Sequence, residues 1–208
     1  MGIARLADGQ PPDLGRRDGR ERLLNGARQL LAEKGYAGME LRDVAERGEA
    51  PRGSIYHHFP EGKRQLAAEA AALEGTEIRA TIERSLAERG LRETLAMFGE
   101  IFRRRVRDHP ERIGCPVAAA ALARPEDPAL AAAATAAFQS WELPIATALE
   151  EAGVGAEGAA TFAGLVISTI EGALIRARAA GDPGPLDSAV AGLEGALDSL
   201  LAAGRAGS

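Results

Sequence analysis

Arg52, Gly53, Ser54, Tyr56, His57, His58 and Lys63 crowd into one short polar and aromatic stretch. Their common chemistry is hydrogen bonding to nucleic acid. A guanidinium pairs with guanine O6 and N7, while Ser, Tyr, His and Lys donate to phosphate oxygens, and a glycine permits close approach. Arg42, a little upstream, is a further phosphate candidate. These groups need rigid support, and the surrounding sequence supplies it. Leu41, Val44 and Ala45 fall at i, i+3 and i+4, one apolar face of a short helix. Gly48-Glu49-Ala50-Pro51 is breaker chemistry, with Pro51 suited to the first turn of a new helix. A second short helix then turns Ile55, Tyr56 and Phe59 one way and Arg52, Ser54, His57 and His58 another. Two short helices joined by such a turn form a helix-turn-helix, whose second helix can enter a major groove. Arg52 stands near the N-terminus of that helix, so it is the expected base reader; Tyr56, His57, His58 and Lys63 are expected mainly on phosphates.

The chain carries no catalytic or metal constellation of comparable strength. Its three histidines are His57, His58 and His109, and adjacent residues do not face each other on a helix. Neither Cys nor carboxylates cluster at ligand spacing, and neither a nucleophile elbow nor a glycine-rich phosphate loop is present. Expected catalytic residues, metals and cofactors are therefore none.

The run from Gly35-Tyr36 through Arg42-Asp43-Val44-Ala45 to Arg52-Gly53-Ser54-Ile55-Tyr56-His57-His58-Phe59 and Lys63 resembles the DNA-binding head of TetR-type transcriptional regulators. Gly62 before Lys63, and Gly114-Cys115-Pro116-Val117, resemble motifs of the LmrA/YxaF-like branch. Two departures stand out. Met39 and Glu40 occupy positions where the family usually carries a hydroxyl cap, and Glu49 stands where it usually has Gly. A positive φ at Glu49 costs on the order of 1 kcal/mol, unless Gly48 absorbs the bend.

Composition agrees with an all-α fold. Hydrophobic residues make up 46% of the 208 residues, mostly Ala and Leu, with aromatics at only 4%. Net charge is −5, which by itself argues against a nucleic-acid partner, but residues 16–66 hold 11 Lys/Arg against 8 Asp/Glu while residues 67–208 hold 13 against 20. A basic head on an acidic body suits a DNA-binding module joined to something else. Residues 1–15 read as a disordered arm, 16–66 as the helix-turn-helix domain and 67–208 as a helical effector-binding and dimerisation domain. Arg16, Arg17 and Arg20 at the end of the arm suit either phosphates or solvent. One Cys, no signal-like start and no apolar run near the ~18 residues of a membrane span lead to an expected cytoplasmic location without membrane contact.

Periodicity places a helix from about Asp18 to Lys34, closed by a left-handed Gly35, and a long helix from Gly62 to about Glu88. Further helices run from Leu91 to Val106, Cys115 to Ala123, Asp127 to Glu151 (kinked or interrupted at Pro144), Gly155 to Ala180 and Leu186 to Leu201. Arg103-Arg104-Arg105 reads as a solvated helix end rather than an anion patch, and Cys115 as an inert residue rather than a redox sensor. Gly164 and Gly172 allow close helix approach. Phe98, Phe102, Phe138, Trp141, Ile145 and Phe162 spread aromatic and apolar surface over three helices. Such a face is either plain core or a ligand wall. The resemblance implies an effector cavity among these helices. The aromatics and the few unpaired charges on their faces lead to an expected flat, poorly soluble, largely uncharged aromatic compound, oriented by Thr169 or Gln139. It also implies a symmetric homodimer through the last two helices, for which Leu165, Ile170, Leu174, Leu193, Leu197 and Leu200 are the candidates. The expected function is a repressor released from a palindromic operator by a small molecule. A helical enzyme, or an adaptor binding protein only, would use the same apolar body.

Overall fold

The computed structural model describes residues 19–108 and 114–206, and every regular element among them is helical. The expected arm (1–15), Arg16, Arg17 and His109 lie outside the described residues. The elements are α1 (Gly19–Gly38), α2 (Leu41–Arg47), α3 (Gly53–His58), α4 (Lys63–Arg89), α5 (Leu91–Asp108), α6 (Pro116–Leu122), α7 (Pro128–Glu151), α8 (Ala156–Ala180) and α9 (Gly184–Ala206). Helix α1 buries Leu23, Leu24, Ala27, Leu30 and Leu31, the stripe expected from its periodicity, and Gly35 breaks its regularity at φ 71°. Helix α7 continues through Pro144 rather than stopping there. Asp127 starts it, its Oδ1 accepting from Leu130 N at 3.0 Å.

The helices form two compact units, and their division differs from a cut at residue 66. The first joins the chain up to Thr76 with Gly114–Ala137; the second takes Glu77 onward to the segment before Gly114, and Phe138 onward. Helices α4 and α7 each contribute to both. Helix α6 thus belongs with the helix-turn-helix rather than with the body, because Gly114 lets it sit against α1. A Cβ on Gly114 would stand 2.9 Å from the Ala32 carbonyl carbon and closer still to its oxygen. Cys115 then caps α6, its Sγ accepting from Ala118 N at 3.4 Å, and Pro116 fills the first helical position. In the same unit the buried Glu74 of α4 accepts from Arg28 Nε of α1 at 2.8 Å, a charged tie between the two helices.

In the second unit α9 packs against both α5 and α8. Gly99 marks the tightest crossing: a Cβ there would meet Val190 Cγ2 at 2.6 Å. Gly164 and Gly172, expected to permit close helix approach, are not crossing points within the chain: Gly172 faces open space, and Gly164 meets only Glu142 Oε1, at 3.9 Å. Helix α8 is long and apolar enough to cross a membrane by length and composition, with mean hydropathy 1.6 in its most apolar window. This differs from the expectation that no such run exists, because small residues and a few charges interrupt the consecutive apolar positions of α8. Its Ala159, Phe162, Ala163, Val166, Ala173, Leu174 and Ala177 are buried within the unit. Val106, Ala173, Leu174, Ala177 and Leu186 form one core cluster, with Phe102 and Ile170 packed on it. The run Arg103-Arg104-Arg105 near the end of α5 is engaged with neighbours. Arg103 Nε donates to Asp187 Oδ1 at 2.6 Å, Arg104 to Glu100 at 2.8 Å, and Arg105 lies over the Phe102 ring.

Candidate nucleic-acid interface and effector region

Helix α2 starts without a side-chain cap, for Glu40 is extended at the N-cap and its carboxylate caps nothing. Buried Met39 at N′ and buried Val44 at N4 supply the pattern of a hydrophobic staple instead. At the other end Ala50 N donates to Ala45 O at 2.9 Å and Glu49 N to Glu46 O at 3.1 Å. Those two bonds form a Schellman closure, with Glu49 at C′ and φ 49°. Glu49, not Gly48, therefore takes the left-handed conformation. Gly48 is needed for another reason: a Cβ there would stand 2.9 Å from Arg22 O, and one on Gly26 would stand 2.9 Å from Val44 O. This glycine pair lets α1 cross the end of α2 backbone to backbone.

The turn delivers Pro51, whose carbonyl accepts from Ser54 N at 2.9 Å and Ser54 Oγ at 2.6 Å, closing the first turn of α3. Ile55 and Phe59 are fully buried behind the helix. Tyr56, at 63% exposure, points outward with Arg52, Gly53 and His57. Among the described residues the Arg52 guanidinium forms no hydrogen bond or ion pair, so its fork of donors is available. The other expected contacts are more constrained. The Ser54 hydroxyl is spent on Pro51. His58 is half-buried and edges against Phe59 at 6.4 Å between centroids, and Arg20 covers that same phenyl ring at 5.0 Å. Arg42 is exposed, with Nε 3.3 Å from Asp43 Oδ1. Lys63 Nζ donates to Ala37 O at 3.1 Å and rests 4.8 Å above the Tyr36 ring. Burial, with Asp127 and Glu126 nearby, pushes the Tyr36 phenol up.

Ion pairs around the motif were not legible in sequence. Lys34 pairs with Asp43 at 2.7 Å, and its hydrogen bond holds that carboxyl below its usual range. Arg47 pairs with Glu33 at 2.8 Å, which holds the guanidinium charged. Basic charge near the motif is thus partly consumed by structure.

The expected effector residues all lie in the second unit. Phe98 and Phe102 stack at 6.3 Å, while Phe138 meets Trp141 edge to face at 5.2 Å. Trp141, Ile145 and Phe162 are buried; Phe98, Phe102, Phe138 and Thr169 are half-buried, and Gln139 is exposed. Of the expected partner-surface residues, Leu165 is exposed and Leu200 half-buried. Leu174, Leu193 and Leu197 turn inward instead, and Ile170 packs on the core cluster. The i, i+3/i+4 spacing identifies an apolar face without saying which neighbour covers it. Among the described residues no group of three or more His, Cys, Asp or Glu side chains is placed to hold a metal.

A buried scaffold carrying an exposed, unpaired arginine and aromatic tip on the second helix of a helix-turn-helix defines a DNA-binding regulator head. Known proteins agree over both parts of the chain. Residues 23–70 match "Bacterial regulatory proteins, tetR family", and residues 92–192 match "Transcriptional regulator LmrA/YxaF-like, C-terminal domain". An uncharacterized HTH-type transcriptional regulator of Mycobacterium tuberculosis is 35% identical over 175 residues, covering 81% of this chain and 88% of that one. The HTH-type regulator YxaF of Bacillus subtilis is 32% identical over 183 residues, covering 82% and 91%. The crystal structure of a TetR transcriptional regulator from Legionella pneumophila shares the fold, with TM-score 0.76 at 22% identity over 89% of this chain and 98% of that one. The chain belongs to the TetR family of helix-turn-helix transcriptional regulators, in its LmrA/YxaF-like branch. Its relatives are regulators rather than enzymes.

Proposed function

We propose that this regulator is a cytoplasmic homodimeric repressor, released from a palindromic operator by an apolar aromatic small molecule. The observation that carries the DNA half is the outward set Arg52, Tyr56 and His57 on a helix whose opposite face is sealed by Ile55 and Phe59. Arg52→Ala is expected to relax selection at one base pair per half-site by roughly 1–3 kcal/mol. Lys63→Ala should instead weaken all sequences alike and flatten the salt dependence, because Ala37 occupies only one of three ammonium donors. Fluorescence-anisotropy titrations on operator and point-mutated operator separate the two; uniform losses in both variants would remove this division of labour.

The exposed faces of α8 and α9 support the dimer. Thr161, Leu165, Ser168, Gly172 and Ile175 follow one another at helical spacing on α8, and Ser188, Gly192, Gly195 and Ser199 do so on α9. Gly172, Gly192 and Gly195 face open space within the chain, so two copies can approach closely there.

The effector half rests on aromatics from α5, α7 and α8 gathered in one unit, with Arg92, Arg103 and Arg104 of α5 paired with Asp198, Asp187 and Glu100. A ligand that binds the DNA-free conformation tenfold better shifts the equilibrium by about 1.4 kcal/mol. Trp141 is the only tryptophan, and it is buried against Phe138. Titrating flat aromatic compounds is expected to quench its fluorescence and release operator over one concentration range. Trp141→Leu should shift the release curve. Quenching without release would leave a binding protein and no switch; release with Trp141 silent would put the effector elsewhere.

A further inference from the structure

Glu49 is the one non-glycine residue with positive φ among the described residues. It fills C′ of the Schellman closure after α2, where glycine carries the least strain. Both hydrogen bonds of that closure use backbone, so the fold gains nothing from this side chain. The residue is exposed, and among the described residues its carboxylate makes no hydrogen bond or ion pair. Its position is three residues ahead of Arg52, in the turn leading into the end of α3 that reaches base edges.

A carboxylate there would meet one of two things. Phosphates repel it. Among groups in the major groove, guanine and thymine show it acceptors, and adenine flanks its amino group with the N7 acceptor, whereas cytosine offers the N4 amino donor. We infer that Glu49 is a specificity-determining residue, accepting a hydrogen bond from a cytosine N4 amino group beside the base contacted by Arg52. The inference rests on the DNA-reading role of α3 given above. Its negative charge also lowers affinity for every duplex through phosphate repulsion, and only a duplex with the amino group in place offsets that loss. Discrimination rises from both sides.

Selection from randomised duplexes tests this with the full chain, Glu49→Gln and Glu49→Gly. Glu49→Gln keeps the size and the backbone demand without the charge; Glu49→Gly removes charge and strain together. The unmodified chain is expected to enrich cytosine at one position per half-site by about tenfold. Glu49→Gly should lose that preference, and Glu49→Gln should weaken it, since its amide oxygen still accepts but without charge. Both should keep the remainder of the motif and bind unrelated DNA more tightly at equal salt. An unchanged or higher melting temperature for Glu49→Gly excludes unfolding as the cause. If both variants selected the same bases as the parent and merely bound all duplexes more tightly, the carboxylate would face phosphate and the inference would be overturned. An unmodified chain that enriched no palindrome would fail differently, taking down the DNA-reading role itself.

Discussion

Arginine at Leu197 is expected to remove a large part of the stability of the fold, whereas arginine at Ile175 should leave a stably folded monomer. The two positions are both apolar and both lie on the terminal helix pair, yet their surroundings are opposite. Leu197 is 1% exposed inside the second unit, where α9 meets α5 and α8. A guanidinium there loses its hydration with no buried carboxylate to receive it, at a cost of roughly 4 kcal/mol or more. That is a large share of the 5–15 kcal/mol that typically holds a domain together, so about half or more of a marginal stability is lost. Leu193→Arg should behave in the same way, being equally buried. Ile175 is 62% exposed on α8. Arginine there changes the stability of the single chain by about 0.5 kcal/mol or less, but places like charges against each other across a two-fold interface. Circular dichroism melts combined with sedimentation equilibrium separate these outcomes. An Ile175→Arg protein that remained dimeric and bound a palindrome with parental affinity would move the interface off the outer face of α8.

Gly114→Ala should be the most damaging single-methyl change in the first unit. The added Cβ falls 2.9 Å from the Ala32 carbonyl carbon, and the obstacle is helix backbone rather than the end of a flexible side chain. Relief requires α6 to move away from α1, which disturbs the adjacent Cys115 cap and Pro116 turn. Overpacking of this kind costs about 3 kcal/mol, which for a chain of this size lowers the melting temperature by roughly 6–12 °C. Gly53→Ala is the matched control, since nothing lies within 4 Å of a Cβ there, and it should melt at or above the parent temperature. Equal melting of Gly114→Ala and Gly53→Ala would mean that α6 docks on α1 less tightly than the geometry indicates.

Helix identity was legible from sequence wherever local chemistry suffices. The stripe Leu23, Leu24, Ala27, Leu30 and Leu31, the breaker run at Gly48 to Pro51 and the apolar side of α3 at Ile55 and Phe59 all follow from spacing and turn preference, whereas Tyr56, grouped with that side by its aromatic character, turns outward. These are short-range rules, and they were enough to recognise the helix-turn-helix and the family. Pro144 shows their limit, for the surrounding helix runs through it.

Contacts between distant residues were decided only by tertiary structure. Gly48 looked free to absorb a bend, but the carbonyl of Arg22 leaves no room for a side chain there, and the left-handed turn falls to Glu49. Lys63 looked free for phosphate until α1 brought Ala37 and Tyr36 beneath it. Leu174, Leu193 and Leu197 have the same periodicity as a partner-facing stripe, since an apolar face carries no label for what covers it. Folding assigned them to this chain's own core and left Leu165 and Ile175 outside. The sequence by itself determined which segments are helices and which motif they build; the packing of those helices determined which side of each faces outward, because that depends on neighbours far away along the chain.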